Sequence, residues 1–289
     1  MRYVLFLLIS RMPFPVLYAV SDFLAFIARN LIGYRKKVIL KNLRNSFPDR
    51  SERELHSLFP GIYRNLTDVM LETIKLLTIP DDKLKQRVLL KNADFVNLFY
   101  REGKSIIITT SHLCNWEWML GTCSLVLSAP IDGVYQKIKS PFFEKLMFRI
   151  RGRFGAKPVE KNHVFRESLK KRNVSHILAL VADQSPPRSD KNIYWTTFLN
   201  QDTVFYNGME RIGTSFDWPV LYAAMKRIKR GFYEIEFMEL EAEPAGANPG
   251  SMVKKYAEIL EKHIKEDPAD WLWSHNRWKR KKETYSTQD

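Results

Sequence analysis

Cysteine is scarce in this chain of 289 residues: Cys114 and Cys123 are the two it contains. Nine positions apart, they fit neither a zinc-binding spacing nor a disulfide framework, and so few thiols suit a reducing compartment. No further His/Cys cluster accompanies them, so no metal site is expected. The G-x-S-x-G turn that presents a nucleophilic serine is absent, as are internal repeats and low-complexity runs. Acidic residues are in deficit, 32 Asp+Glu against 46 Lys+Arg, for a net charge of +14. That excess favours an anionic partner: nucleic acid, an acidic protein or a phospholipid surface. Apolar material is plentiful, with 45% hydrophobic and 13% aromatic residues. A sizeable core can therefore form, and global disorder is excluded.

A spanning helix usually needs ~20 apolar residues, which the amino-terminal segment barely supplies, so a full span and an interfacial position both stay open. Tyr3–Ile9 is apolar but short, and Pro13 and Pro15 follow it. No small-x-small cleavage site succeeds it, against a signal peptide. Val16 to Ile32 is again mostly apolar, and Arg35, Lys36, Lys37, Lys41 and Arg44 come directly after. A kinked or interfacial anchor over residues 1–34, with its basic end in the cytoplasm, fits this pattern best. A buried core helix is the alternative. Residues 35–289 then form one further domain, with Lys282–Asp289 as a frayed tail.

Beyond the anchor, Leu55, Leu58, Ile62, Leu66, Val69 and Thr73 predict an amphipathic helix over Ser51–Leu77. Ser105–Thr110, Ile131–Tyr135 and Ile177–Ala182 read as strands, and Trp218–Ala224 and Phe232–Leu240 as two more. Asn115–Val126, Pro141–Phe154 and Ser251–Glu266 read as helices. The alternation predicts an α/β fold whose central sheet is covered on both faces.

In such sheets functional groups gather beyond the carboxyl ends of strands. Two candidate groups sit there, Ser111–Glu117 after the first strand and Asp183-Gln184 after the third. His112 and Glu117, five apart, would diverge by roughly 140° on one helix. The pair makes sense with His112 in the strand-to-helix turn and Glu117 one turn into the helix. A carboxylate that accepts Nδ1–H makes histidine a general base. A base with no nucleophile suggests direct attack by an acceptor hydroxyl on a thioester. Cys114 as a nucleophile is the rival reading.

Several segments, taken in order, resemble the lipid A biosynthesis acyltransferases. They are Asn42-Leu43 with Ser46-Phe47-Pro48, Ser-His-x-x-Asn-Trp-Glu at Ser111–Glu117, and Tyr135 with Ser140–Phe143. Arg149–Gly155, Ala182–Gln184 and Trp273–Lys279 follow, so the resemblance spans nearly the whole chain. It implies a glycerolipid-acyltransferase-like fold, a mixed sheet flanked by helices with an HX4D/E site. It implies His112 and Glu117 as the catalytic pair, no cofactor, and a donor thioester on acyl carrier protein. The implied acceptor is a membrane glycolipid hydroxyl, at the cytoplasmic side of a bacterial inner membrane. Asp183, Gln184, Asn115 and Arg149 or Arg151 become candidate substrate-binding residues, Asp183 ordering the site by hydrogen bonding and an arginine binding acceptor phosphate or helping to position the thioester. Gln136, where the family often has a basic residue, and Phe198-Leu199-Asn200, in place of Phe-Phe-Gly, depart from the pattern near the expected pocket. An acyltransferase for another membrane lipid (a glycerophosphate, aminolipid or mannosylated lipid) is the enzyme alternative. A basic peripheral membrane or nucleic-acid-binding protein is the non-enzyme one, although no nucleic-acid-recognition signature supports it.

Overall fold

The computed structural model describes residues 2–282, so the expected frayed tail lies outside the described residues from position 283 onward. The first helices are α1 (Arg2–Arg11), α2 (Phe14–Phe26), α3 (Lys36–Ser46), α4 (Glu52–Ser57), α5 (Phe59–Lys75) and α6 (Asp81–Arg87). Then come β1 (Val88–Leu90), α7 (Ala93–Arg101), β2 (Ile106–Thr110), α8 (Trp116–Val126), β3 (Ile131–Tyr135), α9 (Pro141–Gly152) and β4 (Lys157–Glu160). Next are α10 (Val164–Lys170), β5 (Ile177–Val181), β6 (Ile193–Phe198), β7 (Gln201–Tyr206) and α11 (Gly208–Phe216). β8 (Val220–Lys229), β9 (Phe232–Glu241) and α12 (Ser251–Glu266) complete the series.

Seven strands form one sheet in the order β1-β9-β8-β2-β5-β3-β4. Its neighbours are parallel except for β8 and β9, which are antiparallel and joined by a tight turn at Arg230-Gly231. The fold is α/β with a mixed sheet. β2 lies near the middle, and its five residues, Ile-Ile-Ile-Thr-Thr, are all buried, as a parallel strand covered on both faces should be. Parallel crossovers are right-handed, and this fixes the layers. β2 to β3 and β3 to β4 step toward the β4 edge, so α8 and α9 share one face. β4 to β5 and β5 to β8 step back, so α10 and α11 lie on the other.

α1 and α2 pack along α5. Tyr18 donates to Glu72 at 2.8 Å, Ser21 donates to Asp68 at 2.6 Å, and Asp22 accepts from Arg230 at 2.9 Å. The opposite side of this region exposes Phe23, Phe26, Leu31 and Ile32. With the π-helical turn Ile27–Ile32, the helical run Phe14–Ile32 is long and apolar enough to cross a membrane.

Local chemistry explains where elements differ from expectation. The helix expected over Ser51–Leu77 is two helices, because Pro60 in the first turn of α5 lacks the N–H that would continue α4. The β6–β7 hairpin carries no alternating signal strong enough to be read from sequence. Its two-residue turn is Leu199-Asn200, with φ of 50° and 61°, the doubly left-handed geometry of a tight hairpin.

Candidate active site

His112 lies just past the carboxyl end of β2. The turn that carries it needs a left-handed residue, and Cys114 takes φ 55°. Asn115 then caps α8, its side-chain oxygen accepting from the Trp118 N–H at 2.9 Å. A carboxyl-terminal segment ties the turn down from outside the sheet. Leu113 bridges Trp271, the Cys114 N–H donates to the Asp270 carbonyl at 2.9 Å, and the Leu272 N–H donates to that of His112 at 3.2 Å.

Strand register supplies the partner of His112. β2 and β5 are parallel neighbours with Thr110 opposite Val181, so two residues further on His112 arrives beside Asp183. The imidazole Nδ1 is 2.6 Å from Asp183 Oδ1, and the His112 backbone N–H donates to Oδ2 at 3.0 Å. Trp271 Nε1–H donates to the same Oδ2 at 2.8 Å. Burial alone would raise this carboxyl, but His112 and the Trp271 hydrogen bond overcome it and hold it at about 2. An ionised Asp183 requires the neutral imidazole to carry its proton on Nδ1, leaving Nε2 free to accept. Gln184 donates there at 3.1 Å. Trp116 packs edge-on against the imidazole at 4.6 Å between ring centroids.

This geometry corrects the expected pairing of His112 with Glu117. Both Glu117 oxygens are held by Arg151, at 2.5 and 3.0 Å. The two-pronged guanidinium competes better for that carboxylate than one imidazole N–H does. Asp183 takes the orienting position and sits behind His112, buried, rather than on a substrate-facing wall. Asn115 is also corrected: it is wholly buried, its oxygen capping α8 and its amide donating to Glu72 at 2.7 Å. Of the two arginines on α9, Arg151 turns inward, and Arg149 lies exposed with its guanidinium 5.1 Å from the Tyr3 ring centroid. Cys114 turns away from His112, its Sγ toward the Met225 carbonyl and Asp270 at 3.5 Å. Burial pushes both thiols up, Cys123 to about 12, which makes poor nucleophiles of them.

His112, Trp116, Glu117, Gln136, Arg151 and Gln184 all line one cavity of about 440 Å³ that runs over the carboxyl edge of the sheet. Its deep wall is apolar, with Ile108, Met119, Leu120, Ile131, Ile177 and Ile212. Gly133 forms part of it, where a Cβ would meet Leu120 at 3.2 Å. Polar groups gather near His112 and at the rim, where Lys161, Tyr206 and Arg211 contribute. The Phe198-Leu199-Asn200 departure does not line this cavity. The Leu199 N–H donates to Glu261 at 2.6 Å and Asn200 to the Ser46 carbonyl at 3.1 Å.

Sequence reasoning missed Trp271, Lys161 and Arg211. Trp271 is 88 positions from the carboxylate it serves, a distance at which no spacing rule operates. A half-buried base beside an apolar slot, with no nucleophile activated next to it among the described residues, can deprotonate a hydroxyl that attacks an acyl group held in the slot.

Residues 2–280 match the family described as bacterial lipid A biosynthesis acyltransferase. The chain is 22% identical over 273 residues to the lipid A biosynthesis palmitoleoyltransferase of Escherichia coli (strain K12), spanning 93% of this chain and 87% of that protein. The same figures hold for a lipid A biosynthesis acyltransferase of Shigella flexneri. Identity to the lipid A biosynthesis lauroyltransferase of Escherichia coli (strain K12) is 20% over 278 residues, or 96% of this chain and 89% of the relative.

Proposed function

The chain belongs to the bacterial lipid A biosynthesis acyltransferases, and on that premise we propose that it moves a fatty acyl group from a thioester on acyl carrier protein to a hydroxyl of a lipid A precursor. That it is an acyltransferase of lipid A biosynthesis follows from the family. The finer reading rests on one observation above all, the His112–Asp183 pair beside an apolar cavity. The cavity volume falls within the roughly 300–1,000 Å³ usual for small-molecule sites, and its apolar depth suits an acyl chain.

In the proposed reaction the acyl chain lies against Ile108, Met119 and Leu120, with its thioester carbonyl near His112. The acceptor hydroxyl displaces Gln184 from Nε2, gives its proton to that nitrogen and attacks the carbonyl carbon. Asp183 holds Nδ1–H and stabilises the imidazolium. Collapse of the tetrahedral intermediate breaks the carbon–sulfur bond, and the imidazolium returns the proton to the departing thiolate. Arg151, steadied by Glu117, is the candidate for acceptor phosphate, which a guanidinium grips through two parallel hydrogen bonds. The apolar face of residues 14–32 would hold the enzyme on the cytoplasmic side of the inner membrane, where such an acceptor resides.

Purified enzyme in detergent, given acyl carrier thioester and an under-acylated lipid A precursor, should raise the acceptor mass by one acyl group. His112→Ala should not. Preferential acylation of a glycerophosphate or an aminolipid in the same assay would replace the lipid A precursor as acceptor.

A further inference from the structure

Two flanks border the cavity, and they lie on opposite faces of the sheet. Arg151 of α9 stands on one; Phe165 of α10 and Arg211 of α11 stand on the other, with Lys161 just ahead of α10. The α9 flank is continuous with the apolar amino-terminal helices. Phe6 of α1 meets Phe142 and Phe143 at ring separations of 5.7 and 6.1 Å, and Arg149 lies over Tyr3. Outward from this contact α1 exposes Val4, Leu5 and Leu8, and α9 exposes Phe143 and Phe148. A membrane bound by this region therefore lies on the α9 side.

The α10 flank has a different character. Residues 157–172 contain six Lys or Arg and two Glu. Lys171 is held by Asp132 at 2.7 Å, and Arg166, Lys170 and Arg172 are exposed. Among them stand Phe165 and Leu169, one helical turn apart and 40% and 48% exposed. A small apolar centre inside a basic rim complements an acidic protein with an apolar patch. It is a poor second membrane contact, because the sheet separates it from the apolar amino-terminal helices.

We propose that the α10 surface, at the cavity rim formed by Lys161 and Arg211, docks an acidic carrier protein bearing the acyl thioester. Donor and acceptor then reach His112 from opposite faces of the sheet, the donor from solvent and the acceptor from the membrane. The assignment rests on the reading of the donor as a carrier-bound thioester.

Steady-state kinetics of the full-length enzyme in detergent, with the lipid acceptor saturating, test it. The same acyl group is supplied either on the carrier protein or on a small pantetheine thioester. The Arg166→Glu, Lys170→Glu double variant should raise KM for the carrier-bound donor about ten-fold, as loss of complementary rim charge does. Its kcat, and its use of the small thioester, should stay within about two-fold of wild type. Lys145→Glu, on exposed α9, should leave both donors unaffected. Equal KM for the two donors in the wild type would defeat the carrier reading itself. A wild-type preference for the carrier that Lys145→Glu abolishes, and the α10 variant does not, would overturn the docking assignment alone. Should the double variant also lose the small-thioester reaction, Arg172→Glu carries the same test, with a smaller rise in carrier KM as the expected result and an unchanged KM as the contrary one.

Discussion

Asp183 and Glu117 both stand within the neighbourhood of His112, in unlike surroundings. Asp183 is buried at the end of β5, 71 positions away, and receives three hydrogen bonds, two from His112 and one from Trp271. Glu117 is five positions away, on the cavity wall, with both oxygens engaged by Arg151. The carboxylate that is near in sequence serves a cation, and the one brought alongside by strand register serves the base. Closeness along the chain is a poor guide here because a strand-to-helix turn points its residues apart, whereas two parallel strands deliver their ends to one place.

The contrast breaks most sharply at the base and its partner. His112→Ala should lower acyl transfer by a factor of about 10² to 10⁴, the usual worth of a positioned general base. Asp183→Asn should come close to that, since an amide leaves the imidazole free to adopt the wrong tautomer. Single-turnover assays on folded protein check both. A smaller effect belongs to the Glu117 region: Arg151→Lys should cost about ten-fold or more, mainly through KM for the lipid acceptor. Arg149→Lys, on the exposed side of α9, should stay within about three-fold of wild type. Varying donor and acceptor separately distinguishes these outcomes.

Stability should report the same difference more gently. Asp183, held at about 2 against an ordinary 3.8, contributes stability that is complete above the ordinary value. That contribution declines as pH falls from about 4 toward about 2. Thermal unfolding followed through this acid range should show a pH dependence that Asp183→Asn flattens. An unchanged slope would mean that His112 and Trp271 do not hold the carboxylate ionised. The smallest effect is expected at the thiols: the Cys114→Ala, Cys123→Ala double variant should keep most of its activity, with no acyl-protein adduct by mass spectrometry. A covalent acyl-cysteine would replace direct transfer with a two-step route.

Local signals carried much of the fold. Ile131–Tyr135 and Ser251–Glu266 have the bounds that their patterns predict, because β-branched runs and three-four apolar spacing are written within each segment. The β6–β7 hairpin was not legible, since its turn uses Leu199 where glycine would have advertised a left-handed residue. In the site, the position of His112 could be read from strand, turn and helix cap. Its partnership with Asp183 depended on which strands adjoin, and Trp271 on where the carboxyl-terminal segment returns. Neither is encoded in spacing. Arg149 and Arg151 were separable in principle, being two apart on a helix, but only the packing of α9 on α8 decides which of them turns inward.

Nitrogen-15 NMR of the His112 imidazole tests the central claim most directly, because the two ring nitrogens report separately which one carries the proton. In the pH range where the imidazole is neutral, the wild type and Glu117→Gln should both show the Nδ1–H tautomer, and Asp183→Asn should lose it. Loss of that tautomer in Glu117→Gln, with its retention in Asp183→Asn, would contradict the account and return the orienting role to Glu117.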